Sequence, residues 1–290
     1  MAFGKQFFRR WPHIAVCIAA LVCAAAPATP VEGEGPAHRP KRIVSLNLCA
    51  DQLVLALADR EQIAGLTRNA RDRQMSAAAD AARGLPLLGG SAEEVLGVDP
   101  DLVIGMPARR SRATAILRAQ DYRAVDLKPA NDYGAILGSI RDVAQAVGHP
   151  ERGEALIARM DAALRRLPKA RGRVVAAYYQ RRGYMTGTGT LVNDLMTRAG
   201  VTNLASVLGK PPLSQMSLEE MRAAAPDFLV VESATDKVVD QGTAMLHHPV
   251  LSGIPRISIP QAWTVCGGPA YVDAARALSA AIAAREKHRR

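Results

Sequence analysis

Residues 150–168, PERGEALIARMDAALRRLP, read as one uninterrupted helix. Ala155, Leu156, Met160, Ala163, Leu164 and Leu167 recur at helical spacing, with Arg and Asp between them. Pro150 suits the first turn, where a missing N–H costs nothing, and Pro168 ends the run. What flanks this helix decides the fold. Before it stands SAEEVLGVDPDLVI (91–104), and after it SLEEMRAAAPDFLV (217–230). Each phrase has Ser, two Glu at matching places, an apolar helical run, Pro-Asp and an apolar β segment. The offset from Ser91 to Ser217 equals that from Pro100 to Pro226, so the phrases align without a gap. Two similar halves joined by one helix is the most economical arrangement.

On either side of the helix, β segments alternate with helical ones. The first half has β runs at 42–46, 63–66, 101–104 and 122–127, with helical patterns over 92–97, 111–119 and 133–147. Asp51 is placed to cap a helix over 52–57. After the joining helix the rhythm restarts, with β runs at 173–178, 228–232 and 256–259 and helices over 191–199 and 271–285. Such alternation predicts parallel sheets covered on both faces. The fold class is therefore α/β: two Rossmann-like lobes with parallel sheets, joined by one long helix, with a cleft between them. The expected boundaries are 42–148 for the first lobe, 149–168 for the linking helix and 169–290 for the second lobe.

The N-terminus has a different character. Lys5, Arg9 and Arg10 precede an apolar run over 14–26, and Ala26-Pro27-Ala28 follows the A-x-A cleavage pattern. This is the form of a secretory signal peptide, 1–28. As a membrane anchor the run is too short and is followed by Pro and Gly. The residues around Arg9-Arg10 fit twin-arginine export poorly. A lipid anchor on Cys23 is disfavoured because Val22 stands where such leaders carry Gly, Ala or Ser. Residues 29–41, rich in Gly, Pro and Glu, read as a flexible lead-in. The expected address is the periplasm.

At 290 residues the chain can bury a large core. Its formal net charge of +10 falls to +7 once the leader, with three cations and no acids, is removed. That balance suits an anionic small ligand, an envelope surface or simply an Arg-rich exterior. No Lys/Arg run is interleaved with aromatics, so nucleic acid is not an expected partner. There is no GxxxxGK[ST], GxSxG, HExxH or CxxC motif. Gly187-Thr188-Gly189 is a bare GxG, His247-His248 reads as a loop pair before Pro249, and His38, His149 and His288 are isolated. Neither an enzyme nor a resident cofactor is expected.

Four phrases carry a resemblance: RIVSLNLCADQLVLALA (42–58), LGGSAEEVLGVDPDLVIG (88–105), GTGTLVNDLMTRAGVTNLA (187–205) and PLSQMSLEEMRAAAPDFLVV (212–231). In this order, around the linking helix and after a leader, they resemble the helix-linked substrate-binding proteins of ATP-binding-cassette importers. Those importers serve cobalamin, iron–siderophore complexes and haem. The resemblance implies a monomer that captures a small metal chelate and delivers it to an inner-membrane permease dimer. It also implies that Glu93 and Glu219 dock onto Arg pockets of that permease, one per lobe. The plainer reading of these two acids is that they favour helix N-termini.

In open parallel sheets, ligands bind beyond the carboxyl ends of the strands. With two such lobes face to face, the cleft walls follow. The first lobe offers Asn47-Leu48-Cys49, Ala108-Arg109-Arg110 and Asn131-Asp132-Tyr133. The second offers Tyr179-Gln180-Arg181-Arg182, Leu213-Ser214, Ser233-Ala234 and Gln261-Ala262-Trp263. By the resemblance, Trp263 falls where cobalamin-binding relatives keep a cleft Trp; otherwise it is an inter-lobe core residue. Arg109, Arg110, Arg181 and Arg182 suit an anionic chelate, unless they form a solvated face. Cys49 and Cys266, both in predicted cleft loops, leave three readings open. They form a disulfide that fastens the lobes, they ligate a soft metal, or they are inert and buried. An iron–siderophore complex is the leading ligand class because of the Arg-rich loops, with cobalamin next. The rivals are a periplasmic soft-metal or redox protein using the two cysteines, and a sensor that works without a permease.

Overall fold

The computed structural model describes residues 39–105, 115–117, 119, 122–170 and 172–288. The expected leader, most of the lead-in and most of the helix expected over 111–119 lie outside the described residues. Among the described residues, no helix is long and apolar enough to cross a membrane.

The first lobe runs β1 (Ile43–Ser45), α1 (Leu48–Leu57), β2 (Ile63–Thr67), β3 (Leu87–Leu88), α2 (Ala92–Gly97), β4 (Leu102–Gly105), β5 (Ala124–Asp126) and α3 (Tyr133–Val147). Its strands are parallel, in the order β3-β2-β1-β4-β5. The linking helix α4 (Pro150–Arg165) then carries the chain onward. In the second lobe come β6 (Val174–Tyr178), β7 (Tyr184–Thr186), α5 (Leu191–Arg198), β8 (Val201–Asn203) and α6 (Leu204–Val207). They are followed by β9 (Leu213–Gln215), α7 (Leu218–Ala224), β10 (Phe228–Glu232), α8 (Gln241–Leu246), β11 (Arg256–Ile259) and α9 (Tyr271–His288). Its main sheet is parallel, in the order β11-β10-β6-β8, and β7 pairs with β9 as a separate antiparallel ribbon.

The sequence repeat is a repeat of topology. Strands β2-β1-β4-β5 correspond in order to β8-β6-β10-β11. Ser91 and Ser217 each cap a short helix by accepting the backbone N–H of Glu94 and Glu220, and each helix leads into a central strand, β4 or β10.

Side chains alternate across both sheets, as period-two strands require. In β10, Phe228 and Val230 join one apolar cluster while Leu229 and Val231 join another on the opposite face. In β4, Leu102 and Ile104 face one way and Val103 the other. The shared cluster crosses the molecule. It runs from Ile43 and Leu53 in the first lobe, through Ile157, Met160 and Leu164 of α4, to Val174, Val230 and Leu278 in the second.

The linking helix is seated at its start. Gly148 closes α3 at φ 84°, a left-handed turn that favours Gly, and Pro150 opens α4. Arg152 donates to the Leu57 carbonyl at 2.7 Å and to Asp59 at 2.8 Å, while the His149 ring meets Asp59 at 2.9 Å. The helix ends at Arg165, short of Pro168.

One local expectation is corrected. Asp51 does not cap a helix starting at 52; α1 starts at Leu48, and the Asn47 side chain accepts the Ala50 N–H at 2.9 Å. Strand β1 ends so close to α1 that the first cap-type residue takes the role. Asp51 is instead buried within the helix, accepting from the Thr67 backbone N–H at 3.0 Å and from its hydroxyl.

Candidate ligand cleft

A cavity of about 480 Å³ opens between the lobes. Residues 47–49 and Leu53 line it from the start of α1, 127–131 from the loop after β5, and Ser139 from α3. The second lobe supplies 190–192 at the start of α5 and 264–267 after β11. Three of these segments follow the carboxyl ends of strands, where open parallel sheets gather their loops. Most of the wall is apolar. Asn47, Asn131, Ser139, Thr190 and Thr264 add neutral hydrogen-bonding groups, and Lys128 is the one charged side chain among the described lining residues.

Local structure fixes several of these groups. Asn47 spends its carbonyl oxygen on capping α1, while its Nδ2 is buried without a hydrogen-bond partner among the described residues. Thr190 caps α5, accepting from the Asn193 N–H at 3.2 Å and donating to the Gly187 carbonyl at 2.7 Å. The Thr264 hydroxyl lies 3.2 Å from that of Tyr178, which in turn lies 3.5 Å from Glu232. Burial, then the Glu232 charge, push the Tyr178 phenol well above its usual range, so it stays a neutral partner behind Thr264.

Cys49 and Cys266 are joined by a disulfide in this wall, with Cα atoms 5.2 Å apart. The soft-metal reading of the pair is therefore corrected: sulfurs bonded to each other present no thiolates to a cation. Among the described residues, no group of three or more His, Cys, Asp or Glu side chains could hold a metal ion. Next to the disulfide, Gly267 presses on the first lobe so closely that a Cβ there would collide with the Ala130 Cβ. Further along, Tyr133 of α3 and Tyr271 of α9 stack at 5.4 Å, with the Arg198 guanidinium 4.6 Å from the Tyr133 ring centre. Tyr133 donates to Asp161 of α4 at 2.8 Å, and Tyr271 donates to Asp194. The lobes are thus held by a covalent bond, a backbone abutment and a mixed aromatic–ionic cluster.

Compared with known proteins, residues 43–256 match the family model described as "Periplasmic binding protein". The chain belongs to the periplasmic binding protein family. A curated cobalamin-binding protein of Halobacterium salinarum is 24% identical over 215 residues, 71% of this chain and 58% of that protein. The chain thus spans less than two thirds of that relative's length. Among solved structures, the periplasmic haem-binding protein RhuT of Roseiflexus sp. RS-1 is 26% identical with a TM-score of 0.65, covering 83% of this chain and all but 1% of that one, 99%. The vitamin B12-binding protein BtuF of Vibrio cholerae is 15% identical with a TM-score of 0.62, covering 86% and 99%.

In this periplasmic binding protein, Asn47, Leu48, Cys49, Asn131 and Cys266 of the expected walls line the cavity together. The other described candidates stand elsewhere. Tyr133 belongs to the inter-lobe cluster. Tyr179 is fully buried on the far face of the second sheet and donates to the Met216 carbonyl at 2.7 Å. Arg181 is paired with Asp240, and Arg182 borders a separate open hollow with Asp240, 241, 242 and Met245. Ser214 sits on the β7–β9 ribbon, and Trp263 packs on the shared core. Arg109 and Arg110 lie outside the described residues.

Missing from the sequence reading were Leu53, 127–130, Ser139, 190–192 and Gly267, whereas Thr264 and Val265 were expected to flank the Cys pair in a loop exposed to ligand. The rule of strand ends could have found 127–130, since β5 stops at Asp126. Thr190 adjoins a segment already singled out, but nothing in the helical pattern marks Ser139. Glu93 and Glu219 are exposed at equivalent positions of α2 and α7, one on each lobe.

Proposed function

We propose that this periplasmic binding protein captures a corrinoid of the cobalamin class between its lobes and delivers it to an inner-membrane ATP-binding-cassette permease. It works as a periplasmic monomer and does no chemistry on its cargo. The observation that carries this reading is the makeup of the cavity wall. Apolar side chains suit the face of a macrocycle, and neutral donors and acceptors such as Asn47, Asn131 and Thr264 suit an amide-fringed periphery. The described lining holds no His, Tyr, Met or carboxylate. A corrinoid needs none, since its metal arrives with axial positions filled. The curated relative named as cobalamin-binding supports the same class.

A ferric siderophore, first in line from the Arg-rich loops, loses support because Arg181 and Arg182 lie outside the cavity. Haem is the second reading, favoured by the 26% identical structure named as haem-binding. Against it, haem iron ordinarily takes a protein axial ligand. Docking through Glu93 and Glu219 completes the delivery step. Titration calorimetry of residues 29–290 with cyanocobalamin, hemin and a ferric hydroxamate tests the choice. Saturable one-to-one binding of cyanocobalamin, abolished when Thr190→Trp fills the cavity, is the expected result. Hemin alone binding would install the second reading, and binding of neither macrocycle would remove both.

A further inference from the structure

Cys49 is the second residue of α1, behind the Asn47 cap, and Cys266 lies in the segment leading into α9. Their bond closes a loop of 217 sequence positions and forms a second covalent link between lobes already joined by α4. It stands in the cavity wall itself, between two sets of lining residues: Asn47 and Leu48 on one lobe, and Thr264, Val265 and Gly267 on the other. Gly267 abuts Ala130 without room for a methyl group, so the two walls cannot move closer, and the bond keeps them from parting.

We propose that the Cys49–Cys266 disulfide is a redox latch on the ligand cleft, which holds the cavity in its receiving shape when oxidised and releases the walls when a dithiol reductant cleaves it. The proposal rests on the reading of this cavity as the ligand site. A thiolate of the dithiol attacks the Cys49 sulfur, on the more exposed residue of the two, and the electron pair of the S–S bond leaves on the Cys266 sulfur. The second thiol of the reductant then displaces Cys49 from the mixed disulfide. The thiolate so released sits at the N-terminus of a ten-residue helix, where unpaired backbone N–H groups favour it. Two electrons pass from the dithiol, which becomes a disulfide, and the two cysteines take up its two protons. Ligand affinity falls because a preorganised cleft becomes one that must be ordered on binding.

The test uses residues 29–290, in which Trp263 is the sole Trp, since the other, Trp11, lies in the leader. Dithiothreitol-reduced and oxidised protein are compared by far-ultraviolet circular dichroism, hydrogen exchange, Trp263 fluorescence and cyanocobalamin dissociation rate. The expected result is an unchanged dichroism spectrum, faster exchange at 127–131 and 264–267, a shift in Trp263 emission as the neighbouring segment 264–267 loosens, and dissociation about tenfold faster or more. A Cys49→Ser/Cys266→Ser variant should show all of this without reductant and ignore its addition. Unchanged exchange and dissociation on reduction would make the bond an inert staple and overturn the latch. So would loss of the fold on reduction. If oxidised protein binds no cyanocobalamin, the ligand reading fails on its own, while exchange at the two walls still decides the latch.

Discussion

Asp51 carries the sharpest residue-scale consequence. Burial pushes its carboxyl above the ordinary 3.8, outweighing the lowering hydrogen bonds from Thr67 and Ser45. The folded protein therefore holds this proton more firmly than the unfolded chain. Its contribution to stability is fully present below the unfolded value and is lost as pH rises through the folded one. Asp51→Asn keeps an acceptor for Thr67 and removes that loss. Urea unfolding should show stability at neutral pH equal to or above wild type, with a flatter profile as pH rises above the ordinary carboxylate value. Asp59 has the opposite sign. The Arg152 hydrogen bond and the nearby His149 hold it below the ordinary carboxylate value, so its contribution is present above that value and is lost as acid protonates it. At the cleft, Gly267→Ala would force the lobes apart at Ala130, lowering stability by about 1–3 kcal/mol in thermal unfolding. Residue identity alone could not assign these roles. In NLCAD both Asn47 and Asp51 are cap-type side chains, and only the shortness of the turn after β1 selects Asn47. Nothing in the local sequence of Gly267 reveals the neighbour it meets from the other lobe.

Among elements, the repeat, the linking helix and most strands were legible because each rests on local periodicity. Helices α2 and α3 occupy their expected spans, and α4 stops only a few residues early. What escaped was which face a residue takes just past a strand end. Tyr178 and Tyr179 are adjacent, yet alternation sends Tyr178 toward Thr264 and the shared core, and Tyr179 to the opposite cluster. The short strands β3, β7, β8 and β9 were missed too, since two or three residues that do not sit in a longer apolar run, as β1 and β5 do, carry too little pattern to register. The cluster joining α3, α4, α5 and α9 gives a test of its own. Tyr271→Phe removes the hydroxyl shared by Asp194 and Arg198, and should cost about 1–2 kcal/mol in urea unfolding. Its effect on cyanocobalamin affinity should be small, because the cluster stands apart from the cavity lining. At the N-termini of α2 and α7, Glu93→Lys with Glu219→Lys should leave ligand binding intact and abolish ligand-dependent uptake by cells. Uptake at the wild-type rate would return those acids to mere helix-end residues.

At the level of the whole molecule, one apolar core and one disulfide bind two lobes whose sheets are separate. The helix α4 and the disulfide together limit lobe movement, so the proposed capture would depend on a cleft already shaped before the ligand arrives. Removing the disulfide frees a long loop in the unfolded chain, and Cys49→Ser/Cys266→Ser should lose about 3–5 kcal/mol of stability on that account. The two-lobed architecture could be read from sequence, whereas the wall chemistry could not. Arg181, Arg182 and Trp263 were attractive by type and loop position, but an ion pair with Asp240, a separate hollow and the shared core claim them. The most direct measurement of the central claim is the visible absorption spectrum and bound metal of the protein isolated from its native envelope. The account predicts corrin bands and cobalt near one atom per chain. A Soret band with iron, or a ferric-chelate band, would contradict it.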